Sequence, residues 1–377
     1  MKIGIITQPL GTNYGGILQN YALQEALRKL GYDSITLDQP SIDITFVDKL
    51  KKYIYFIVGK ILRKNVTRPR NLSKREKAVV SSQIKSFIDE NVKCTEKLRR
   101  KSHFTKVIKK YKLKTIVVGS DQVWRPMYTP SIYNSFLDFC ENIKGIKRIA
   151  YAASFGVTEW EFNEEQTQEC ARLASLFDAV SVREVSGIEL CREHLNVDAK
   201  HVLDPTLLLE KEDYIKLIKS EDCKSNGNMF CYILDNNAEI QQAIHKIEQK
   251  QGMKSFMVKA KKVGNHIPKD EEVNDYVKPS VNKWIRAFVD AEMVFTDSFH
   301  GCVFSIIFNK PFWVIGNKER GNARFDSLLK LFDLESRRID VSDINDINFT
   351  EPVDWVKVNS IKKEWQTKSF EFFKDNL

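Results

Sequence analysis

No apolar run in this 377-residue chain approaches the roughly 20 residues that a membrane-spanning helix needs. The opening MKIGIITQPLGTNYGG has too short an apolar stretch for a signal peptide and turns polar at once. The seven cysteines (94, 140, 170, 191, 223, 231 and 302) are odd in number and scattered, with no C-x-x-C pair, which argues against a disulfide framework and against a zinc site. These absences predict a cytoplasmic protein in a reducing compartment. Internal repeats and low-complexity segments are also missing, and 42% hydrophobic against 29% charged residues excludes a disordered chain.

Acidic residues are missing from one place in particular. Ten basic residues and no acidic one lie between Lys49 and Arg75, so that the net charge of +9 is local and the rest of the chain comes to −1. The segment opens KLKKYIYFIVGKILRK, with aromatic and aliphatic residues between lysines. That pattern suits an anionic membrane interface, where each basic residue adds about 1 kcal/mol. It equally suits a core helix with solvated ends followed by a basic loop. No nucleic-acid-binding module surrounds it.

A length of 377 residues is long for one core and predicts two domains. KIGIIT, the helical ILQNYALQEALRKLGY and SITLD form a β-α-β opening, with Gly31 as the helix stop. Such an opening predicts a parallel sheet with right-handed crossovers. KTIVVG (114–119), RIAYAAS (148–154) and AVSVRE (179–184) continue the series, which ends at HVLDPTLLL (201–209). A second series has strands MFCYIL (229–234), SFMVKA (255–260), MVFTD (293–297) and PFWVIG (311–316), with helices between them. The expected organisation is an N-terminal domain over 1–205 with a basic helical insertion near 49–75, a C-terminal domain over 206–345, and a terminal helix over 346–377. Both are doubly wound, Rossmann-like α/β domains, and the carboxyl ends of their sheets face a shared cleft, where ligands bind in such folds.

Five polar clusters follow predicted strands: TNYGGILQ (12–19), GSDQVW (119–124), SFG (154–156), Arg183, and TDSFHG (296–301). The first loop is neither G-x-G-x-x-G nor a P-loop with its lysine. Gly15 and Gly16 open a helix beside Asn13 and Gln19, which makes either an anion site of exposed N–H groups or a tight turn. Asp121 is either a helix N-cap or a base toward a hydroxyl. Gln122 and Trp124 follow it, and Trp124 suits either a sugar platform or the core. Arg183 ends an apolar strand, where a buried arginine needs a partner: either Glu184 or another neighbour, or a ligand's carboxylate or phosphate. Asp204 before Pro205 reads as a turn. Asp297 or Ser298 is expected to cap the helix carrying His300, and His300 is either a satisfied structural residue or a proton-exchanging one near neutral pH.

Taken in order, NYGGILQNYAL, VVGSDQVW, YAASFG, SVRE, VLDPTLLL and FTDSFHGCVFSIIFNKPF resemble the polysaccharide pyruvyl transferase family over Asn13–Phe312. The resemblance implies a fold like the two-domain GT-B glycosyltransferases. It implies transfer of a pyruvyl group from phosphoenolpyruvate, the donor substrate, onto two hydroxyls of a sugar as a cyclic ketal. Such enzymes serve surface-polysaccharide synthesis (exopolysaccharide, capsule), often on lipid-linked sugars. No further cofactor and no metal is expected. By position, His300 matches the family's functional histidine and Arg183 an arginine implicated in holding the donor. Ser298 stands where some members carry an arginine. That phosphate contact is then either absent or supplied by Arg320, Arg324 or Lys310, or the branch uses another acceptor or donor. Lys49–Arg75 would dock a cytoplasmic enzyme on the inner membrane face. Two other readings compete: a GT-B glycosyltransferase with a nucleotide-sugar donor, and a non-catalytic membrane- or nucleic-acid-binding protein driven by the basic segment. The second leaves the cleft motifs unexplained.

Overall fold

The computed structural model describes residues 2–40, 53–54, 57–58, 72–129, 131–219, 224–235, 237–262, 272–316 and 321–377. Most of Lys49–Arg75, together with Cys223 and Arg320, lies outside the described residues.

Short β-branched and aliphatic runs with little polar alternation suit strands covered on both faces, and two parallel sheets result. The first has six strands: β1 (Lys2–Ile6), β2 (Asp33–Thr36), β3 (Thr115–Val118), β4 (Lys147–Ala153), β5 (Ala179–Val182) and β6 (Lys200–His201), in the order β2-β1-β3-β4-β5-β6. The second has five: β7 (Met229–Tyr232), β8 (Ser255–Phe256), β9 (Met293–Thr296), β10 (Phe312–Ile315) and β11 (Arg338–Ile339), in the order β11-β10-β9-β7-β8. Every pairing is parallel. Two differences from the sequence reading are physical. SFMVKA pairs only through Ser255 and Phe256, at the sheet edge. The two-residue β11 is too short to carry a hydrophobic period.

The first helix, Tyr14–Lys29, starts at Asn13, whose side chain accepts the Gly15 N–H at 3.1 Å. It stops where Gly31 takes φ +86°, a left-handed conformation that a residue with a Cβ resists. The Tyr32 N–H then reaches back to the Leu27 carbonyl.

One hydrophobic cluster runs from Ile3, Ile5 and Leu18 in the first domain to Trp284, Phe288 and Phe304 in the second. Separate clusters cover the opposite face of each sheet. Tyr14 joins the two lobes: its ring stacks on Trp284 with centroids 5.7 Å apart, and its hydroxyl donates to the Pro279 carbonyl at 2.8 Å. The last helix, Trp355–Asn376, packs back on the first domain. Phe373 stacks on Tyr151 of β4 at 4.1 Å, and Ser369 Oγ accepts the Leu203 N–H.

Candidate functional site

The loops after β1, β3, β5 and β6 of one sheet and β9 of the other meet at the domain junction, where they assemble a buried charge cluster. Arg183 leaves β5 and is 5% exposed. Its Nη1 donates to Asp204 Oδ2 at 2.6 Å and its Nη2 to Asp121 Oδ1 at 3.2 Å. Its Nε lies 3.9 Å from Glu184 Oε2. Its guanidinium covers the Phe299 ring, with Cζ 4.5 Å from the centroid. His300 Nε2 sits 3.7 Å from Asp204 Oδ2, an ion-pair distance too long for a hydrogen bond, and is buried with no hydrogen-bond partner. Arg324 also approaches Phe299, its Cζ 5.4 Å from the ring centroid.

Burial would raise both carboxyls, but neighbouring cations more than offset it. Asp204 is held far below the ordinary carboxylate range by the His300 imidazole and the Arg183 guanidinium. Asp121 is lowered by Arg183, then His300 and Arg324. Arg324 falls to about 10, through burial first and the Arg183 charge second. It still carries its charge at neutral pH.

Gly15 has a steric reason. A Cβ there would overlap the His300 ring, so the absent side chain lets the two domains bring the histidine against the start of the first helix. A Cβ on Gly16 would lie 3.7 Å from Asp121 Oδ2, which puts that carboxylate beside the same helix start. The Asn13, Gly15 and Gly16 loop, Asp121, Arg183, His300 and Arg324 therefore converge.

Other expectations are corrected. Asp121 caps no helix; it takes φ +68° in a bend after β3, a conformation aspartate tolerates better than most residues. Neither Asp297 nor Ser298 caps the helix Phe299–Ile307 through its side chain. The Asp297 carboxylate accepts the Leu234 and Asp235 N–H groups at 2.7 and 2.8 Å, so it ties the ends of β7 and β9. Trp124 is wholly buried: it stacks on Phe136 at 4.9 Å and donates Nε1–H to the Ser135 carbonyl, leaving no face for a sugar. Gln19, also wholly buried, accepts the Ser120 N–H and donates to Thr7 Oγ1 and the Gly16 carbonyl, so both amide protons and the oxygen are engaged in joining the β1 and β3 loops. Gln122 Oε1 accepts from Arg125, while Ser298 is buried with its N–H on Thr296 Oγ1. Lys310 donates to the Val289 and Ala291 carbonyls, at the C-terminal end of the helix Val281–Asp290.

Asp204 is the residue the sequence reading missed. It does form the expected turn, since Oδ1 accepts both the Thr206 N–H at 3.0 Å and its hydroxyl at 2.6 Å. Its other oxygen is the shared partner of Arg183 and His300. The available signal was the need of a strand-end arginine for a carboxylate. Glu184 is buried too, its Oε1 accepting the Phe155 and Gly156 N–H groups at 2.8 and 3.0 Å and so shaping the SFG loop. Burial pushes the thiols of Cys94, Cys140, Cys170 and Cys231 up to about 12, well away from a neutral-pH thiolate. Among the described residues no group of three or more His, Cys, Asp or Glu is placed to hold a metal ion.

Two parallel α/β domains with their strand ends facing one another make a GT-B-like fold. UDP-GlcNAc 2-epimerase from Neisseria meningitidis bound to UDP-GlcNAc superposes with a TM-score of 0.50 at 11% identity, covering 98% of this chain and 94% of that one. The glycotransferase of kitacinnamycin gives 0.50 at 10% identity, covering 100% of this chain and 99% of that one. At such identities the likeness is one of fold. A sequence search of curated proteins finds no match. The family model of polysaccharide pyruvyl transferase matches residues 13–319, and the chain belongs to that family.

Proposed function

We propose that the protein transfers a pyruvyl group from phosphoenolpyruvate to two hydroxyls of a sugar in a surface-polysaccharide precursor. The carrying observation is the buried His300 imidazole, its Nε2 without a hydrogen-bond partner and 3.7 Å from the Asp204 carboxylate. An imidazole with an open Nε2 beside a buried carboxylate is placed to give a proton to a donor or to hold its phosphate. His300 protonates the donor's methylene carbon, and the charge develops at the neighbouring carbon. One sugar hydroxyl adds there and loses its proton. The carbon–oxygen bond to phosphate breaks, and the second hydroxyl closes the ketal. Of the two hydroxyl protons, one restores to His300 the proton it gave to the new methyl group, and the other leaves with the released phosphate. Asp121, kept ionised by Arg183, accepts a hydrogen bond from a sugar hydroxyl; so acidic a group orients better than it stores a proton. Arg183 fixes both carboxylates and Arg324 faces the donor.

Thermal-shift binding tests the donor. A ligand at about 100 times its Kd adds about 2.7 kcal/mol. A shift with phosphoenolpyruvate is the expected result. A shift with a nucleotide sugar in its place would move the assignment to a glycosyltransferase.

We further propose that the protein works at the inner membrane face. Among the described residues no helix is long and apolar enough to cross a membrane. Tyr53, Ile54, Ile57 and Val58, at helical spacing and 42–50% exposed, interrupt the basic stretch with apolar side chains open to solvent. Anchoring there would bring a cytoplasmic enzyme to a lipid-linked acceptor.

A further inference from the structure

One cation at the domain junction is not used by the chemistry above. Lys278 lies in the segment leading into the second domain's helix Val281–Asp290. Its Nζ reaches across the junction to Thr12 Oγ1 at 2.7 Å, a contact between residues 266 positions apart. The side chain is partly buried, and burial lowers the ammonium below the ordinary lysine value with no carboxylate opposing the shift. Among the described residues no carboxylate lies within ion-pair distance of it. A partly desolvated ammonium that meets only a hydroxyl among the described side chains is an incomplete arrangement, because buried charges are ordinarily paired.

Its position gives the missing partner a chemistry. Thr12 begins the loop whose Gly15 faces His300 and whose Gly16 faces Asp121. Three residues of chain, at most about 11 Å, separate Thr12 from Gly15. The neighbouring Pro279 carbonyl is fixed by the Tyr14 hydroxyl at 2.8 Å, so the base of the lysine is held from the opposite domain. The cluster itself is already rich in carboxylates. Asp121, Asp204 and Glu184 face Arg183, Arg324 and His300, and two Arg183 nitrogens are taken by Asp204 and Asp121. A three-carbon donor carrying a phosphate and a carboxylate needs further positive charge.

We propose that Lys278 is an anion-binding residue of the cleft, closing on the donor's phosphate from the second domain. The inference rests on the phosphoenolpyruvate reading. Lysine serves here as a compact charge on a flexible stem that can turn from the Thr12 hydroxyl to an arriving phosphate oxygen. Because the two ends of the contact belong to different lobes, the phosphate also draws the lobes together.

The test is calorimetric titration of the full chain with phosphoenolpyruvate and, separately, with inorganic phosphate. Lys278→Met keeps the stem and removes the charge; Lys278→Arg keeps the charge. Thr12→Val removes only the hydroxyl contact. The expected result is at least ~10-fold weaker binding of both anions by Lys278→Met, the size of one lost charge-assisted hydrogen bond. Lys278→Arg and Thr12→Val should stay within about threefold of wild type. Unchanged binding by Lys278→Met would overturn the inference and leave pyruvyl transfer standing. Equal losses in Thr12→Val and Lys278→Met would also overturn it, making the lysine a tether. If wild type binds phosphate but not phosphoenolpyruvate, the pyruvyl reading falls, and Lys278 stands provided the Met variant loses phosphate. If wild type binds neither anion, both fall.

Discussion

Replacing Asp204 by Asn tests the charge cluster at its centre. The amide keeps the Oδ1 contacts with Thr206, so the turn survives. What disappears is the negative charge 2.6 Å from Arg183 Nη1 and 3.7 Å from His300 Nε2, with the Arg183 and Asp204 side chains 2% and 1% exposed. Arg183 keeps Asp121 at 3.2 Å. Removing one member of a buried pair typically costs about 3–5 kcal/mol, chiefly because the other charge stays buried. For a chain this long, about 2 °C per kcal/mol gives a fall of about 6–10 °C in Tm. The assay is thermal unfolding of wild type, Asp204→Asn, Arg183→Met and the double variant. The cycle should show at least ~1.5 kcal/mol of coupling. The pH dependence adds a second readout. Asp204 is depressed in the folded protein, while an unfolded aspartate titrates near 3.9. Its stabilisation is therefore complete above that value and is lost as pH falls through about 4 and below. Asp204→Asn should lose less stability on acidification than wild type. A variant within about 1 kcal/mol of wild type with an unaltered acid limb would refute the reasoning.

Gly15→Ala should displace His300 at a cost of about 1–3 kcal/mol, and lower turnover far more than Ser298→Ala; full activity would show that the close approach is incidental. His300→Gln should lower kcat by about 10²–10⁴-fold with the fold intact, checked by circular dichroism and steady-state kinetics. Trp124→Ala should cost about 3–5 kcal/mol, read as lost stability, with any surviving folded fraction keeping its acceptor KM. Vesicles with anionic lipid should co-sediment the protein at low salt and release it at high salt; equal binding to neutral vesicles would remove the charge-driven docking.

The strands were legible where the chain is buried on both faces. TIVV, AVSV, MFCY and MVFT carry their own signature of continuous apolar residues. The edge pieces β6, β8 and β11 are two residues each, and no periodicity exists at that length. Polar residues at strand ends were legible as a group, because the fold brings such ends together. Their individual partners were not, since those are set by distant chain. Arg183 finds its carboxylates 21 and 62 positions away, at Asp204 and Asp121. Gly15 reads as a turn or an anion loop; the histidine that needs its missing Cβ lies in the other domain. Asp204 reads as a turn because it is one, and its second oxygen leaves no mark on local sequence. Trp124 beside Asp121 suits either a sugar platform or the core, and only the packed chain after β3 decides for the core.

The last helix has a consequence for how the molecule can be divided. Its Ser369 and Gln366 hold the Leu203 N–H and the Leu207 carbonyl, one residue before and three after Asp204. Phe373 lies against Tyr151, whose hydroxyl grips the Leu203 carbonyl. The first lobe is thus a discontinuous unit, completed by a helix that follows the second lobe in the chain. A fragment cut at residue 205 would carry Asp121, Arg183 and Asp204 without the clamp that sets the Asp204 turn. Synthesis has the same property: the carboxylate that serves Arg183 gains its support only once Trp355–Asn376 has followed the whole second lobe.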